Sequence, residues 1–311
     1  MNFRQLGRTE LQISEISLGG AYLMGLDPLK AEGNTRQLVE TALAFGINYI
    51  DTAPFYGQSK SLLGHALSDT SCRFHLATKV GLKPEDFDYS ADSVLWSLER
   101  SLKRLKISKL TVAQIHEVNI PGWQQIMRPN GALAGLRQAQ QKGLCDFVGI
   151  TARAIPLLVQ LAATGEFDTV LVYHDYHPSC LKATESVISV AANQQMGIVL
   201  ATVLAGGLYT EQHQQAIAKI DDPKERQRAA EIVERLKAEP HTLPQNAFRF
   251  VLADGRVSTV SSGAASVSPM GRSGKSLGDR TIDALKANLK VGLDIWNHYL
   301  YQYDFLLSLL L

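Results

Sequence analysis

Four ionisable side chains, Asp51, Tyr56, Lys79 and His116, sit at or just after the ends of short apolar runs. Residues 48–51 make one run, and Asp51 closes it before Pro54 turns the chain. A carboxylate at the end of a buried strand is costly unless a cation pairs with it. Lys79, closing the run 74–79, is the available cation, and His116 closes the run 110–116. Tyr56 places a phenol beside Asp51. A phenol has a reference pKa of about 10, too high for an easy base at neutral pH. A neighbouring ammonium favours phenolate and lowers that value. Lys79 can act on Tyr56 in this way, while Asp51 pairs with Lys79 and holds it in place. A neutral His116 can donate a hydrogen bond to a substrate oxygen and orient it. The set is equipped for proton transfer at a bound oxygen, with Tyr56 as general acid/base. A strand-end lysine also suits a Schiff-base aldolase, so that chemistry stays open for Lys79.

For these four to meet, their strands must be neighbours. Apolar runs at 15–20, 48–51, 74–79, 110–116, 147–151, 169–173, 197–202 and 257–261 read as strands. Helical patterns separate them at 34–45, 59–67 (with Ser59 as cap), 90–105, 131–142, 155–163 and 181–195. Others follow at 224–238, 245–253, 280–289 and 291–303, and a Gly/Ser-rich loop covers 262–278. The helix at 90–105 is the clearest, with Val94, Leu98, Leu102 and Leu105 on one face. Residues 1–14 read as a hairpin ahead of the main fold.

Strands alternating with helices mean a parallel sheet buried on both faces. Eight such units in 311 residues favour a closed barrel over an open doubly wound sheet. No G-x-G-x-x-G follows the first strand, which counts further against the open sheet. The expected fold is therefore α/β: a single (β/α)8 TIM barrel over 1–311, with an N-terminal hairpin and a C-terminal helix. In such a barrel the active site lies at the C-terminal ends of the strands, where all four residues fall.

Composition narrows the function. Hydrophobic residues make up 45% and charged residues 20%, as in ordinary soluble domains. The net charge of +1, from 31 basic and 30 acidic residues, gives no reason to expect nucleic acid or an acidic membrane as partner. Three scattered cysteines, Cys72, Cys145 and Cys180, suit a reduced, cytoplasmic protein better than a disulfide framework. The N-terminus lacks the apolar core of a signal peptide, and the apolar run 305–311 is too short for a bilayer. That run reads as the end of a packed helix. His174 and His177 have no third ligand nearby, so no metal is expected. A small-molecule substrate and a monomer or small homo-oligomer are the expected partnerships.

Asp51-Thr-Ala-Pro-Phe-Tyr-Gly57, Ala77-Thr-Lys79 and Gln114-Ile-His116 resemble the signature of the aldo-keto reductases. The resemblance runs from Phe3-Arg-Gln-Leu-Gly-Arg-Thr9 to about Asn288. It implies the (β/α)8 barrel, NADP or NAD as cofactor, and Asp51, Tyr56, Lys79 and His116 as the catalytic set. Phe87-Asp-Tyr-Ser-Ala-Asp92, Gly149-Ile-Thr151 and Val172-Tyr-His-Asp-Tyr176 are similar to the aldose dehydrogenase subgroup.

On the cofactor side the resemblance implies Gly20, Asp51 and Thr151 near the nicotinamide. It implies Thr202, Val203, Leu204 and Gly206 around the pyrophosphate, and Gly263, Arg272 and Asn288 toward the adenosine. Arg272 and Lys275 at a 2′-phosphate would favour NADP; a solvated basic loop is an equal reading. The family's carboxamide-binding Ser-Asn pair reads Thr151-Ala152 here, its Gln reads Leu171, and Ala287 replaces an acidic residue. Those departures keep a non-catalytic, nicotinamide-binding regulatory barrel in view. The substrate pocket is expected to use Tyr22, Phe55, Trp123, His174 and Tyr176, from loops after strands one, two, four and six. Aromatic walls with scattered polar groups suit an aldose or a small aromatic aldehyde equally.

Overall fold

The structure, a computed structural model, describes residues 1–83 and 86–263. Eight parallel strands close into a barrel: Ile16–Gly19, Tyr49–Asp51, His75–Val80, Leu110–His116, Cys145–Ala152, Thr169–Tyr173, Gly197–Ala201 and Thr259–Gly263. Each strand pairs with the next in the chain. The eighth returns to the first in the register Val260↔Ile16 to Gly263↔Gly19. The expected barrel is the observed one.

Register explains why the chemistry converges. Asp51 pairs with Ala77, Lys79 with Gln114, and His116 with Thr151. Side chains alternate along a strand, so residues two apart share a face. Asp51, Ala77, Lys79, Gln114, His116 and Thr151 therefore all point into the barrel, stepping toward its C-terminal mouth. Among and below them the interior is apolar, built from Tyr49, Ala77, Val112, Leu171 and Val199.

The antiparallel hairpin of Phe3–Gln5 and Gln12–Ser14 closes the opposite end. Its Leu6 and Ile13 are fully buried against that same interior layer.

Several boundaries move. The first helix is Pro28–Ala44, beginning well before residue 34. Asp27 caps it by accepting from the Leu29 amide at 3.1 Å, and Pro28 takes the first helical position, where its missing N–H costs nothing. Ser59 is not a cap: Gln58 holds that place, and Ser59 Oγ bonds Thr52 Oγ1 at 2.9 Å. Short helices Gly122–Met127 and His213–Ala218 fall in stretches where the sequence pattern predicts no element. The helix expected over 181–195 is a π-helical turn, Thr184–Ile188, running into Ser189–Asn193. Strand eight starts two residues late because the Val257 amide is used in a turn with the Asp254 carbonyl. The helices expected at 280–289 and 291–303, and the loop from 264 on, lie outside the described residues.

Candidate active site

Asp51 and Lys79 form a buried ion pair, their side chains 6% and 2% exposed. Lys79 Nζ donates to Asp51 Oδ2 and, at 3.1 Å, to the Thr52 carbonyl. The other carboxylate oxygen, Oδ1, accepts from Gln114 Nε2 at 2.9 Å. Both oxygens of the buried carboxylate are thus engaged, as its desolvation requires. Tyr56, on the loop after the second strand, hydrogen-bonds Lys79, and its ring centroid lies 4.9 Å from Nζ. The His116 ring meets the Tyr56 ring edge-on, at 6.1 Å between centroids.

The charges follow from these contacts. Burial works against the Lys79 ammonium, but Asp51 and Tyr56 outweigh it and hold the group above its ordinary range. Burial, helped by Lys79 and Lys60, pushes His116 well below its ordinary value, so the imidazole is neutral. For Tyr56 burial is the largest influence and raises the phenol, while Lys79 pulls it back. The net direction is upward. This corrects the expectation that Lys79 leaves the phenol below its ordinary value. The ammonium does act in the expected sense, but desolvation is larger.

Three further groups belong to the cluster. Gln114 could have been found from its position two residues before His116 on one strand face. Glu117 is buried, and burial raises its carboxyl to about 7. Tyr173, closing the sixth strand, donates from its hydroxyl to Glu117 Oε1 at 2.6 Å. The His116 carbonyl is held from behind by the Tyr89 hydroxyl at 2.7 Å.

The residues around this cluster fit a nicotinamide dinucleotide. Thr151 Oγ1 is buried inside the mouth, and among the described residues it has no hydrogen-bond partner. After the seventh strand, Gly206 takes φ of 64°, and a Cβ built there would meet nothing within 4 Å. Its backbone is open to close approach by a phosphate. Thr202 also has positive φ, 58°, while Val203 is buried and Leu204 precedes the turn Ala205–Gly207. Gly20 begins the turn Gly20–Leu23 at the first strand's end. Gly263 lies under Tyr22, whose ring would be 1.7 Å from a Cβ at that position. Leu171 faces the interior apolar layer and Ala152 is buried, so neither replaces the missing amides. Arg272 and Asn288, with Lys275 and Ala287, lie outside the described residues.

Of the expected pocket residues, Tyr22 is half-buried, and burial raises its phenol to about 12. Phe55 is half-buried against the core, and Trp123 rides the helix Gly122–Met127, 40% exposed. His174 follows Tyr173 with φ of 64°, its ring 6.0 Å from that of Tyr173. Burial lowers it to about 3, so it is neutral. Tyr176 is turned elsewhere: its hydroxyl points to Asp254 Oδ2 at 3.3 Å and its ring packs on Phe250. That is a packing position against the helix Leu243–Leu252.

Comparison with known proteins agrees with this geometry. The profile of the Aldo/keto reductase family matches residues 15–283. The chain is similar to L-galactose dehydrogenase of Arabidopsis thaliana, 28% identical over 276 residues, which is 86% of this chain and 85% of that one. It is 34% identical over 176 residues to D-arabinose 1-dehydrogenase of Saccharomyces cerevisiae, covering 52% of each. Among solved structures, the holo form of an aldo-keto reductase from Bacillus halodurans superposes with a TM-score of 0.71 at 22% identity, over 94% of this chain and 90% of that one. Matched along most of its length by the family profile, and carrying an NAD(P)-dependent oxidoreductase's barrel, the chain belongs to the aldo/keto reductase family.

Proposed function

We propose that the protein interconverts a carbonyl and an alcohol with Tyr56 as general acid/base, acting on an aldose or a small aldehyde or ketone. One observation carries the reading: the buried Asp51–Lys79 pair lies directly beneath the Tyr56 phenol, next to a neutral His116. A nicotinamide dinucleotide, when bound against Thr151 and the Thr202–Gly206 turn, supplies the hydride chemistry. In reduction, Tyr56 gives its hydroxyl proton to the carbonyl oxygen. Lys79 stabilises the phenolate left behind, and Asp51 with Gln114 keeps Lys79 charged and fixed. In oxidation the same phenolate takes the proton from the alcohol. His116 donates a hydrogen bond to the reacting oxygen in both directions and needs no proton from solvent to do so.

The aldose class draws support from the two sugar dehydrogenases that the chain resembles. The chain would work as one barrel domain over 1–311, with NADP or NAD, in the cytoplasm, as a monomer or small homo-oligomer. The Schiff-base reading loses ground, because Asp51 keeps Lys79 protonated and an ammonium cannot attack a carbonyl.

The test is turnover by purified protein: NADH and NADPH oxidation with a carbonyl panel, and NAD+ and NADP+ reduction with an aldose panel. Tyr56→Phe should lower turnover by about 10²- to 10⁴-fold, the usual worth of a general acid/base. Near-wild-type turnover in a folded Tyr56→Phe variant would sink the assignment. Tight dinucleotide binding without turnover in either direction would favour a regulatory barrel.

A further inference from the structure

In a regular strand Glu117, following His116 directly, would point to the opposite face. It does not, because its backbone takes φ of 50°. A residue with a Cβ enters that left-handed region only at a steric cost. The twist returns the carboxyl to the barrel interior, 5% exposed, with Oε1 3.9 Å from His116 Nε2. Tyr173 reaches the same oxygen from the sixth strand at 2.6 Å. No lysine or arginine among the described residues is bonded to this carboxyl. A strained backbone and a buried carboxyl without a cation are costly terms to combine for packing alone. Strain of this kind collects where a side chain must be aimed.

The spacing says at what. A substrate oxygen bonded to His116 Nε2 and a second bonded to Glu117 Oε1 would each lie about 2.8 Å from their partners. Groups 3.9 Å apart can then hold two oxygens on adjacent carbons of one molecule. An isolated carbonyl would use His116 and leave Glu117 without a substrate contact. We propose that Glu117 and Tyr173 form a specificity-determining pair that binds the hydroxyl on the carbon next to the reacting carbonyl, so that the substrate is a 2-hydroxy carbonyl compound or the corresponding diol.

The inference rests on the carbonyl–alcohol reading above and narrows its substrate class. Glu117 supplies the acceptor, and the Tyr173 hydroxyl fixes the carboxyl's rotation. The ionisable groups facing Glu117 are His116, Tyr173, Lys79, Tyr56, Tyr89 and Arg153. Burial leaves the carboxyl titrating at about 7, so the pair acts as a full acceptor above that pH.

The experiment compares glyceraldehyde with 3-hydroxypropanal, which lacks only the 2-hydroxyl, at pH 8 with saturating dinucleotide. Wild-type enzyme should prefer glyceraldehyde in kcat/KM by 10-fold or more. Glu117→Gln should cut that preference at least fivefold, and Tyr173→Phe should cut it in the same direction. Folding of each variant is checked by circular dichroism; Tyr173→Phe carries the test alone if Glu117→Gln is unfolded. Equal losses for both aldehydes, leaving the ratio unchanged, overturn the proposal. Turnover of neither aldehyde by the wild-type enzyme, with no other carbonyl accepted, sinks the functional reading and this inference with it.

Discussion

Gln114 donates to Asp51 Oδ1 at 2.9 Å, on the oxygen opposite the one that takes Lys79. The amide and the ammonium thus hold the carboxylate from two neighbouring strands. Replacing Gln114 by Leu leaves Oδ1 buried and without that donor. A buried charged acceptor that loses a partner costs roughly 1.5–3 kcal/mol. Gln114→Leu should lower unfolding stability by about that amount, read by urea denaturation, and lower kcat as Lys79 loses its fixed counter-ion. Wild-type kcat in the variant would show that Lys79 alone positions Asp51.

In the proposed reaction His116 acts as a neutral donor, because burial, then Lys79 and Lys60, disfavour its charged form. A neutral amide can partly replace it. His116→Gln should keep roughly 10-fold more kcat/KM than His116→Leu, within the range for one donor to a reacting oxygen. Equal losses would mean that the imidazole contributes shape rather than a hydrogen bond.

Lys60 is buried in the helix Ser59–Leu67, where Nζ donates to Ser101 Oγ. Burial first, then Arg104, Lys79 and Arg100, drive its pKa well below 10.5. Below 10.5 the unfolded chain takes up a proton that the folded amine resists, so this group's contribution to stability rises with pH. Ser101 gives its own hydroxyl proton to the Ser97 carbonyl at 2.7 Å, and that bond survives the removal of Lys60. Lys60→Met should therefore stabilise the protein at pH 7 by roughly 1–4 kcal/mol, as when a buried charge gives way to a packed apolar chain. Thermal unfolding checks it; a lower Tm than wild type contradicts the account.

Glu117 gives a stability effect of the opposite sign. Its carboxyl ionises at an ordinary 4.5 when unfolded and at about 7 when folded. Between those values the folded state keeps a proton that the unfolded state has lost, so stability falls as pH rises through the window. The full cost, present above pH 7, is on the order of 3 kcal/mol. Glu117→Gln removes this slope while keeping an acceptor for Tyr173. The variant should gain on wild type between pH 5 and pH 8, measured by urea unfolding at both. A constant difference across that range argues against a buried, titrating carboxyl.

The barrel and the convergence of Asp51, Lys79 and His116 were legible because they depend on alternation. Asp51, Lys79 and His116 each end an apolar run, and a parallel register turns them to one face. Glu117 was not legible, since φ of 50° undoes that alternation and nothing in its side chain signals it. The direction of Tyr176 was equally hidden: past the end of a strand, local pattern no longer sets where a ring points. Its partner Asp254 lies 78 residues away. The net rise of Tyr56 depended on how deeply its hydroxyl is enclosed, a three-dimensional quantity. The early start of the first helix was written in Asp27-Pro28, a cap followed by a proline at the first helical position.

The hairpin that closes the barrel's lower end also sets an order of events. Leu6 and Ile13 precede all eight barrel strands in the chain, yet they are buried with Leu171 and Val199 in one apolar cluster. The Arg8 amide bonds the Gln195 carbonyl. During synthesis, which runs from the N-terminus, these residues must wait with their apolar side chains exposed until the seventh strand has emerged. The floor of the barrel is made before any of its strands and is among the last segments to find its place. A nascent chain stalled before residue 195 would present that hairpin to chaperones or to other nascent copies.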